Sequence, residues 1–118
     1  MDYSNPILVK SKQFALLCVQ IYKELTQEHR EYVLSKQLLR SGTSIGANVR
    51  EAVRGLSKAD FYARLNIALK EASETEYWLE ILSESGYLEQ AQFTQAHTAC
   101  NELIRLLVSI TKTQKTGT

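Results

Sequence analysis

The sequence of 118 residues has little proline and glycine and no long hydrophobic run. With one proline and five glycines, its abundant Leu, Ala, Glu and Lys favour helix over strand. The longest uninterrupted hydrophobic run, residues 14–19, is far shorter than the roughly 20 residues that span a bilayer. No basic segment followed by a hydrophobic one opens the chain, so we expect a cytoplasmic protein without membrane contact.

Groups for catalysis or metal binding are also scarce. Cys18 and Cys100 are 82 positions apart, each in an apolar periodic segment, which predicts buried thiols rather than a disulfide. Helical bundles that bind two metal ions use Glu-x-x-His pairs, but threonine stands three residues before both His29 and His97. We therefore expect no metal, no cofactor and no enzymatic activity.

Hydrophobic residues recur at helical spacing in four segments, which predicts four helices in a single domain, residues 1–118. Asn5 and Pro6 suit the start of the first helix, and Ser57 with Asp60 resembles a capping box for the third. Short turns make consecutive helices antiparallel, so we expect an all-α fold, an up-down-up-down four-helix bundle. The expected helices are at about 6–25, 32–55, 58–85 and 89–111, followed by a frayed tail at 112–118.

The predicted second helix contains Gly42 and Gly46, with three residues between them. A phosphate-binding P-loop needs four residues between its glycines, followed by Lys and then Ser or Thr, so this motif is excluded. A glycine inside a helix costs about 1 kcal/mol relative to alanine, and close packing can offset that cost. Both glycines flank the predicted core side, so we expect a neighbouring helix or a second subunit against them.

Polar contacts are expected between the second and third helices. If the chain folds back about Ser57, Asn48 comes level with Asn66, and Arg40 comes level with Glu74. We therefore predict that Asn48, Asn66 and Glu74 are structural polar residues rather than ligand-binding ones.

Charge is distributed unevenly, although the net charge is only +1. Residues 36–70 carry a net charge of +5, and residues 71–104 carry −7. A basic row lies on the second helix opposite its apolar stripe and consists of Lys36, Arg40, Arg50 and Arg54. Such a row can follow a phosphate backbone, but it can also be a solvated surface or pair with acids of a neighbouring subunit. The residues predicted to bind nucleic acid are the basic row together with Lys58 and Arg64.

The predicted third helix has hydrophobic residues on a second side, namely Ile67, Trp78 and Ile81. Exposed aromatic patches commonly mark contact surfaces, so we predict that these residues and the two glycines form the interface of a homo-oligomer. A central helix that packs against two neighbours would show the same pattern, and this alternative stays open.

Two motifs follow each other in these helices: QLLRSGTSIGANVREA from Gln37, and SKADFYARLNIALKEASETEYWLEIL from Ser57. Together they resemble the family of four helix bundle proteins, or 23S ribosomal RNA intervening-sequence proteins. The family pattern is approximately Q-x-x-R-(small)-x-x-S-I-x-x-N-I-x-E-G, followed by S-K-x-(D/E)-F and A-L-x-S-x-x-E-L-E. The chain departs from it at Ala52, where glycine is usual, and at Lys70 and Glu71, where Gly-Ser is frequent.

The resemblance implies a left-handed four-helix bundle that assembles as a homo-oligomer, commonly a ring of five. Related bundles include the accessory protein of diversity-generating retroelements, which binds nucleic acid and a reverse transcriptase through a basic surface. We therefore expect a non-enzymatic homopentamer that binds RNA or DNA through its basic residues. The alternative is a scaffold that docks a protein partner and has no nucleic-acid role.

Overall fold

The computed structural model describes residues 5–115, which form four helices: α1 (Pro6–Gln27), α2 (Leu34–Val53), α3 (Lys58–Glu84) and α4 (Gln90–Lys115). Around the bundle, α1 packs against α2 and α4, and α3 packs against the same two helices. Because the connections are short, consecutive helices are antiparallel, and the predicted four-helix bundle is confirmed. It measures 48 × 23 × 22 Å. Among residues 5–115, no helix combines the length and apolar character needed to cross a membrane.

The caps expected at α1 and α3 are present. The Asn5 side chain accepts a hydrogen bond from the Ile7 N–H at 2.9 Å, and Pro6 occupies the start of the helix. The Ser57 hydroxyl accepts a hydrogen bond from the Asp60 N–H at 3.1 Å. These local interactions explain why both starting points were predictable from sequence.

The second helix is shorter than the predicted range 32–55, since it begins at Leu34 and ends at Val53. Glu31 caps it from outside: its carboxylate accepts hydrogen bonds from the N–H groups of Val33, Leu34 and Ser35 at 3.1, 3.0 and 2.7 Å. Burial alone would raise the pKa of the Glu31 carboxyl, but the hydrogen bonds outweigh burial and lower it. The helix therefore starts where this carboxylate can satisfy its free N–H groups.

The fourth helix continues beyond the predicted end at residue 111. The frayed tail predicted for residues 112–118 is wrong for residues 112–115, which are helical, and residues 116–118 lie outside the described part. Contacts with α3 explain the extension, because the Tyr62 and Thr113 hydroxyls are hydrogen-bonded at 2.6 Å and Asn66 donates to Gln114 at 3.4 Å. The helix limits of α1 and α3 differ from prediction by two residues or fewer.

The core contains most of the predicted hydrophobic stripes. Its fully buried large side chains include Leu25, Leu38, Ile45, Leu65, Leu79, Leu82, Leu103 and Leu107. At the start of α3, Tyr62 is buried, whereas Phe61 is half-buried and packs against the core. Polar groups also lie in the core: the Thr75 hydroxyl is hydrogen-bonded to the Ser41 hydroxyl at 2.8 Å, which joins α2 to α3. Buried hydroxyls are tolerated because they are hydrogen-bonded.

Candidate nucleic-acid interface

The basic row extends along the outer side of α2, and its four side chains are exposed. Lys36 and Arg54 are 18 residues apart, so the row is about 27 Å long at the helical rise of about 1.5 Å per residue. This length is sufficient to contact several phosphates of a nucleic-acid backbone. The surroundings of the row, however, change along the helix.

Arg40 is paired within the subunit. Its guanidinium lies 3.1 Å from Glu71 Oε2 and also forms an ion pair with the Glu74 carboxylate. The predicted contact between Arg40 and Glu74 is therefore confirmed. The ion pairs offset part of the Arg40 charge, and nucleic-acid binding by Arg40 stays a prediction.

Arg50 and Arg54 lie one turn apart and line a groove between α2 and α1, and Lys12 of α1 lines the same groove. We call the site of these three residues the cationic groove. Within residues 5–115, no ion pair joins any of the three to a carboxylate. Glu51 also lines the groove, so three cations face a single described acid there. Such an excess of positive charge favours an anionic ligand.

Small side chains form the floor of the cationic groove, and they include Ser11, Ala15, Gly46 and Ala47. A Cβ on Gly46 would lie 3.3 Å from the carbonyl oxygen of Ser11, so glycine allows α2 to approach the backbone of α1. The small residues leave space above them.

Gly42 lies one turn earlier and is fully enclosed by α1. A Cβ at this position would overlap the Cys18 sulfur and lie 3.1 Å from the Cys18 Cβ. The prediction of Gly42 in an oligomer interface is corrected, because α1 of the same chain covers it. The two alternatives for Gly42 and Gly46 were a neighbouring helix and a second subunit. For both glycines the close neighbour is α1 of the same chain.

The second apolar side of α3 is partly covered within the subunit. Trp78 and Ile81 are half-buried, and Trp78 packs against the core, whereas Ile67 is 41% exposed. The indole N–H of Trp78 is buried without a hydrogen-bond partner in the described chain. Packing on neighbouring helices therefore accounts for part of this surface. A subunit interface at these three residues stays a prediction.

The expected contact between Asn48 and Asn66 is replaced by contacts within each helix. Asn48 Nδ2 donates to the Ser44 carbonyl and Asn66 Nδ2 to the Tyr62 carbonyl, both at 2.9 Å. Each amide donates to the carbonyl one turn earlier, and Asn66 also donates to Gln114 of α4. A structural role for both residues stays a prediction.

Comparison with known proteins identifies the family. The family model for the 23S rRNA-intervening sequence protein matches residues 4–109. The chain belongs to this family. It is also similar to a crystal structure from Bacteroides thetaiotaomicron, described as a protein with unknown function from the S23 ribosomal protein family. The two sequences are 52% identical, the TM-score is 0.88, and the match covers 90% of this chain and 98% of the other. A search of curated proteins gave no match.

Membership of the 23S rRNA-intervening sequence protein family confirms the resemblance carried by residues 37–82. It also extends the match to the outer helices, since the matched range begins before α1 and ends within α4. The family description names an RNA but assigns no ligand to a particular residue. The evidence for a binding site in this family member therefore comes from its own side chains.

Lys12 is the residue of the cationic groove that sequence analysis missed. Antiparallel helices place the start of α1 beside the end of α2, so the fold-back argument used for α2 and α3 would have placed Lys12 near Arg50. The other predicted cations, Lys36, Lys58 and Arg64, are exposed elsewhere on α2 and α3. They are not among the described residues that line the groove.

The two thiols of this 23S rRNA-intervening sequence protein family member are buried and unbridged, as predicted. Burial raises the pKa of both Cys18 and Cys100 to about 12. The neighbouring Cys100 thiol raises the pKa of Cys18 further, and the charge of Glu76 raises the pKa of Cys100 further. Neither thiol ionises near neutral pH, so neither is an activated nucleophile.

Proposed function

We propose that this protein is a non-enzymatic, oligomeric four-helix bundle that binds RNA or DNA through its cationic groove, with little sequence preference. The observation that carries the proposal is the convergence of Lys12, Arg50 and Arg54 from two helices on one groove. In residues 5–115, all three lack an ion pair with a carboxylate. Guanidinium and ammonium groups are the usual partners of phosphate oxygens.

The distribution of charge over the bundle supports binding at the cationic groove. The acidic residues 71–104, with a net charge of −7, belong to α3, α4 and the turn between them. The cationic groove lies between α1 and α2, on the opposite side of the bundle. Residues 58–70 and 105–114 of α3 and α4, at the same end of the bundle as the groove, carry five cations and one acid. A polyanion would therefore be attracted to this end of the bundle and repelled from the acidic end.

Oligomerisation would strengthen such binding. In the ring of five that the family resemblance implies, each subunit would contribute one groove. Several weak phosphate contacts would then act on the same polynucleotide, and the later contacts would form at high effective concentration. Sequence-independent binding requires no further base-reading groups, because the phosphate backbone supplies the affinity.

Fluorescence anisotropy with mixed-sequence RNA and DNA at increasing salt tests the proposal. Affinity should fall steeply, because released counterions gain less entropy in a saltier solution. The double variant Arg50→Glu, Arg54→Glu should abolish binding. Arg40→Gln is the matched control, since Arg40 belongs to the same basic row but is already paired. Unchanged binding in the double variant would rule the proposal out.

A scaffold that docks a protein partner is the second candidate function, and one observation favours it. Val9 and Leu16 are 41% and 58% exposed and line a pocket together with Arg50 and Arg54. Exposed apolar side chains beside arginines are common at protein interfaces. In this alternative, the basic and acidic segments pair between subunits. Light scattering would support it if the oligomer dissociates as salt rises and the protein binds neither RNA nor DNA.

A further inference from the structure

A polar cluster joins α3 to α4, on the side of the bundle away from the cationic groove. Glu76 and Glu80 are one turn apart on α3, and His97 lies opposite them on α4. His97 Nε2 is 3.4 Å from Glu76 Oε2 and 3.8 Å from Glu80 Oε2. One nitrogen or oxygen atom of each residue lies within 4.8 Å of those of the other two. All three side chains are half-buried.

We propose that Glu76, Glu80 and His97 bind a divalent transition-metal ion of the Zn²⁺ type. Zinc bonds to imidazole nitrogen and carboxylate oxygen are about 2.0–2.2 Å long, so ligand atoms in a tetrahedral site are about 3.4 Å apart. The two separations from His97, 3.4 and 3.8 Å, are close to this value. The Glu76 and Glu80 carboxylate oxygens lie within 4.8 Å of each other, so the two side chains have to move together around the ion, and water fills the fourth position.

The ligand types favour zinc over the harder cations. Calcium and magnesium ions prefer sites made only of oxygen ligands, whereas imidazole nitrogen suits zinc and neighbouring transition metals. Imidazole and carboxylate are both zinc ligands, and three protein ligands with water in the fourth position make an open zinc site. The cluster therefore has the donor chemistry as well as the spacing for such an ion.

The His97 ring contacts two neighbours on α4. The Phe93 ring, one turn earlier on α4, lies with its centroid 4.9 Å from that of His97 at an angle of 30°. The side-chain NH₂ of Asn101, one turn later, lies 3.0 Å from His97 Nδ1 and 3.4 Å from Nε2, and it donates to the His97 carbonyl at 3.1 Å. Histidines that bind metals usually donate their second ring N–H to an acceptor. Zn²⁺ binding through Nε2 therefore requires the Asn101 amide to turn its oxygen towards Nδ1.

A cation between the two carboxylates would offset their repulsion. Glu76 and Glu80 are like charges at i, i+4 spacing, which destabilises a helix. Residues 71–104 contain no Lys or Arg, so the adjoining parts of α3 and α4 supply no basic side chain to offset this repulsion. A bound metal ion offsets it and also joins two helices that are consecutive in the chain.

The sequence search overlooked this cluster because it tested for Glu-x-x-His pairs within one helix. Here both carboxylates come from α3 and the imidazole comes from α4. Folding the chain back at Gly86, whose φ of +89° marks the turn, brings Glu76 level with His97. The proximity of Glu76 and His97 can be derived from sequence spacing once α3 and α4 are known to be antiparallel neighbours.

Calorimetric titration of the untagged full chain with Zn²⁺, after treatment with a chelator, tests the proposal. We expect one Zn²⁺ per chain and a higher thermal midpoint, because the ion binds the folded state. Titration with Co²⁺ should give the intense visible absorption of a four-coordinate site. His97→Ala and Glu80→Gln should each weaken Zn²⁺ binding by about tenfold or more.

Two matched variants serve as controls. His29→Ala removes the other histidine, and Glu84→Gln removes an exposed carboxylate one turn beyond Glu80; both should bind Zn²⁺ like the wild type. Circular dichroism establishes that each variant is folded. The proposal is overturned if the wild type binds less than one Zn²⁺ per chain, or if the target and control variants weaken binding equally. His97→Ala could also lower stability although the wild type binds no Zn²⁺. The cluster would then be an ion pair only, and the proposal would be overturned.

Discussion

The two halves of α2 contain similar small and basic residues but are used differently. In the first half, Arg40 pairs with carboxylates of α3, and Gly42 is enclosed by Cys18 of α1. In the second half, Arg50 and Arg54 line an open groove and lack ion pairs within the described residues. The difference teaches that the adjacent helix decides the role of a basic residue. Carboxylates on that helix pair with the residue, whereas small side chains leave it available for binding.

This comparison predicts which property each variant changes. Substitutions in the first half of α2 should lower stability and leave nucleic-acid binding nearly unaltered. Substitutions of Arg50 and Arg54 should weaken nucleic-acid binding and leave stability nearly unaltered. The three predictions below concern the first half and its cap, and each variant should also be measured in the binding experiment.

Gly42→Ala should have the largest effect on stability. The added Cβ would overlap the Cys18 sulfur, so α1 and α2 would have to separate. We expect the free energy of unfolding to fall by about 2 kcal/mol, because overpacking outweighs the better helix propensity of alanine. Urea denaturation measures this change.

Gly46→Ala is the matched control for that experiment. Its Cβ would lie 3.3 Å from the Ser11 carbonyl oxygen, a tight contact but not an overlap, so we expect a loss below about 1 kcal/mol. Adding Cys18→Ala should partly rescue Gly42→Ala, because it removes the sulfur with which the new Cβ collides. Equal losses for the two glycine variants would contradict the proposed difference between the halves of α2.

Glu31→Ala should have an intermediate effect, since it removes the cap of α2. Loss of three hydrogen bonds to the first turn should cost about 1 kcal/mol. The pKa of this carboxyl is lower in the folded protein, so its contribution is present above the unfolded pKa and is lost as pH falls through the folded pKa. The difference between wild type and variant should therefore be largest near neutral pH and disappear in acid.

Glu28→Ala provides the comparison for this pH dependence, because Glu28 is exposed and precedes the same loop. Its removal should change stability by less than about 0.5 kcal/mol at every pH. Thermal denaturation over a range of pH values measures both variants. If Glu31→Ala and wild type differ by the same amount in acid and at neutral pH, the ionised cap is not the cause.

Local chemistry explains what was predictable from sequence. The number of helices, their order and the caps at Asn5 and Ser57 depend on residues a few positions apart, and all were predicted. The extension of α4 to residue 115 was not, because it depends on Tyr62 of α3 contacting Thr113. Local spacing therefore predicts where a helix starts more reliably than how far tertiary contacts extend it.

The candidate sites were harder to predict for the same reason. The basic row was visible on a single helix, but its division into paired and unpaired parts depends on the neighbours. The sequence register predicts Arg40 beside Glu74, but the pattern of α2 alone does not divide the row. Lys12 and His97 were missed because each contributes to a site shared with another helix.

Arg40→Ala should have the smallest effect, and it tests the comparison most directly. The Arg40 side chain is 51% exposed, so its ion pairs should contribute less than about 1 kcal/mol to stability, and less still at high salt. Because Glu71 and Glu74 already offset its charge, its loss should weaken nucleic-acid binding much less than Arg50→Ala does. The double variant Glu71→Gln, Glu74→Gln should release Arg40 and strengthen binding, which would extend the phosphate-binding surface into the first half of α2. If Arg40→Ala and Arg50→Ala weaken binding equally, carboxylate pairing does not divide the helix, and the whole basic row acts as one surface.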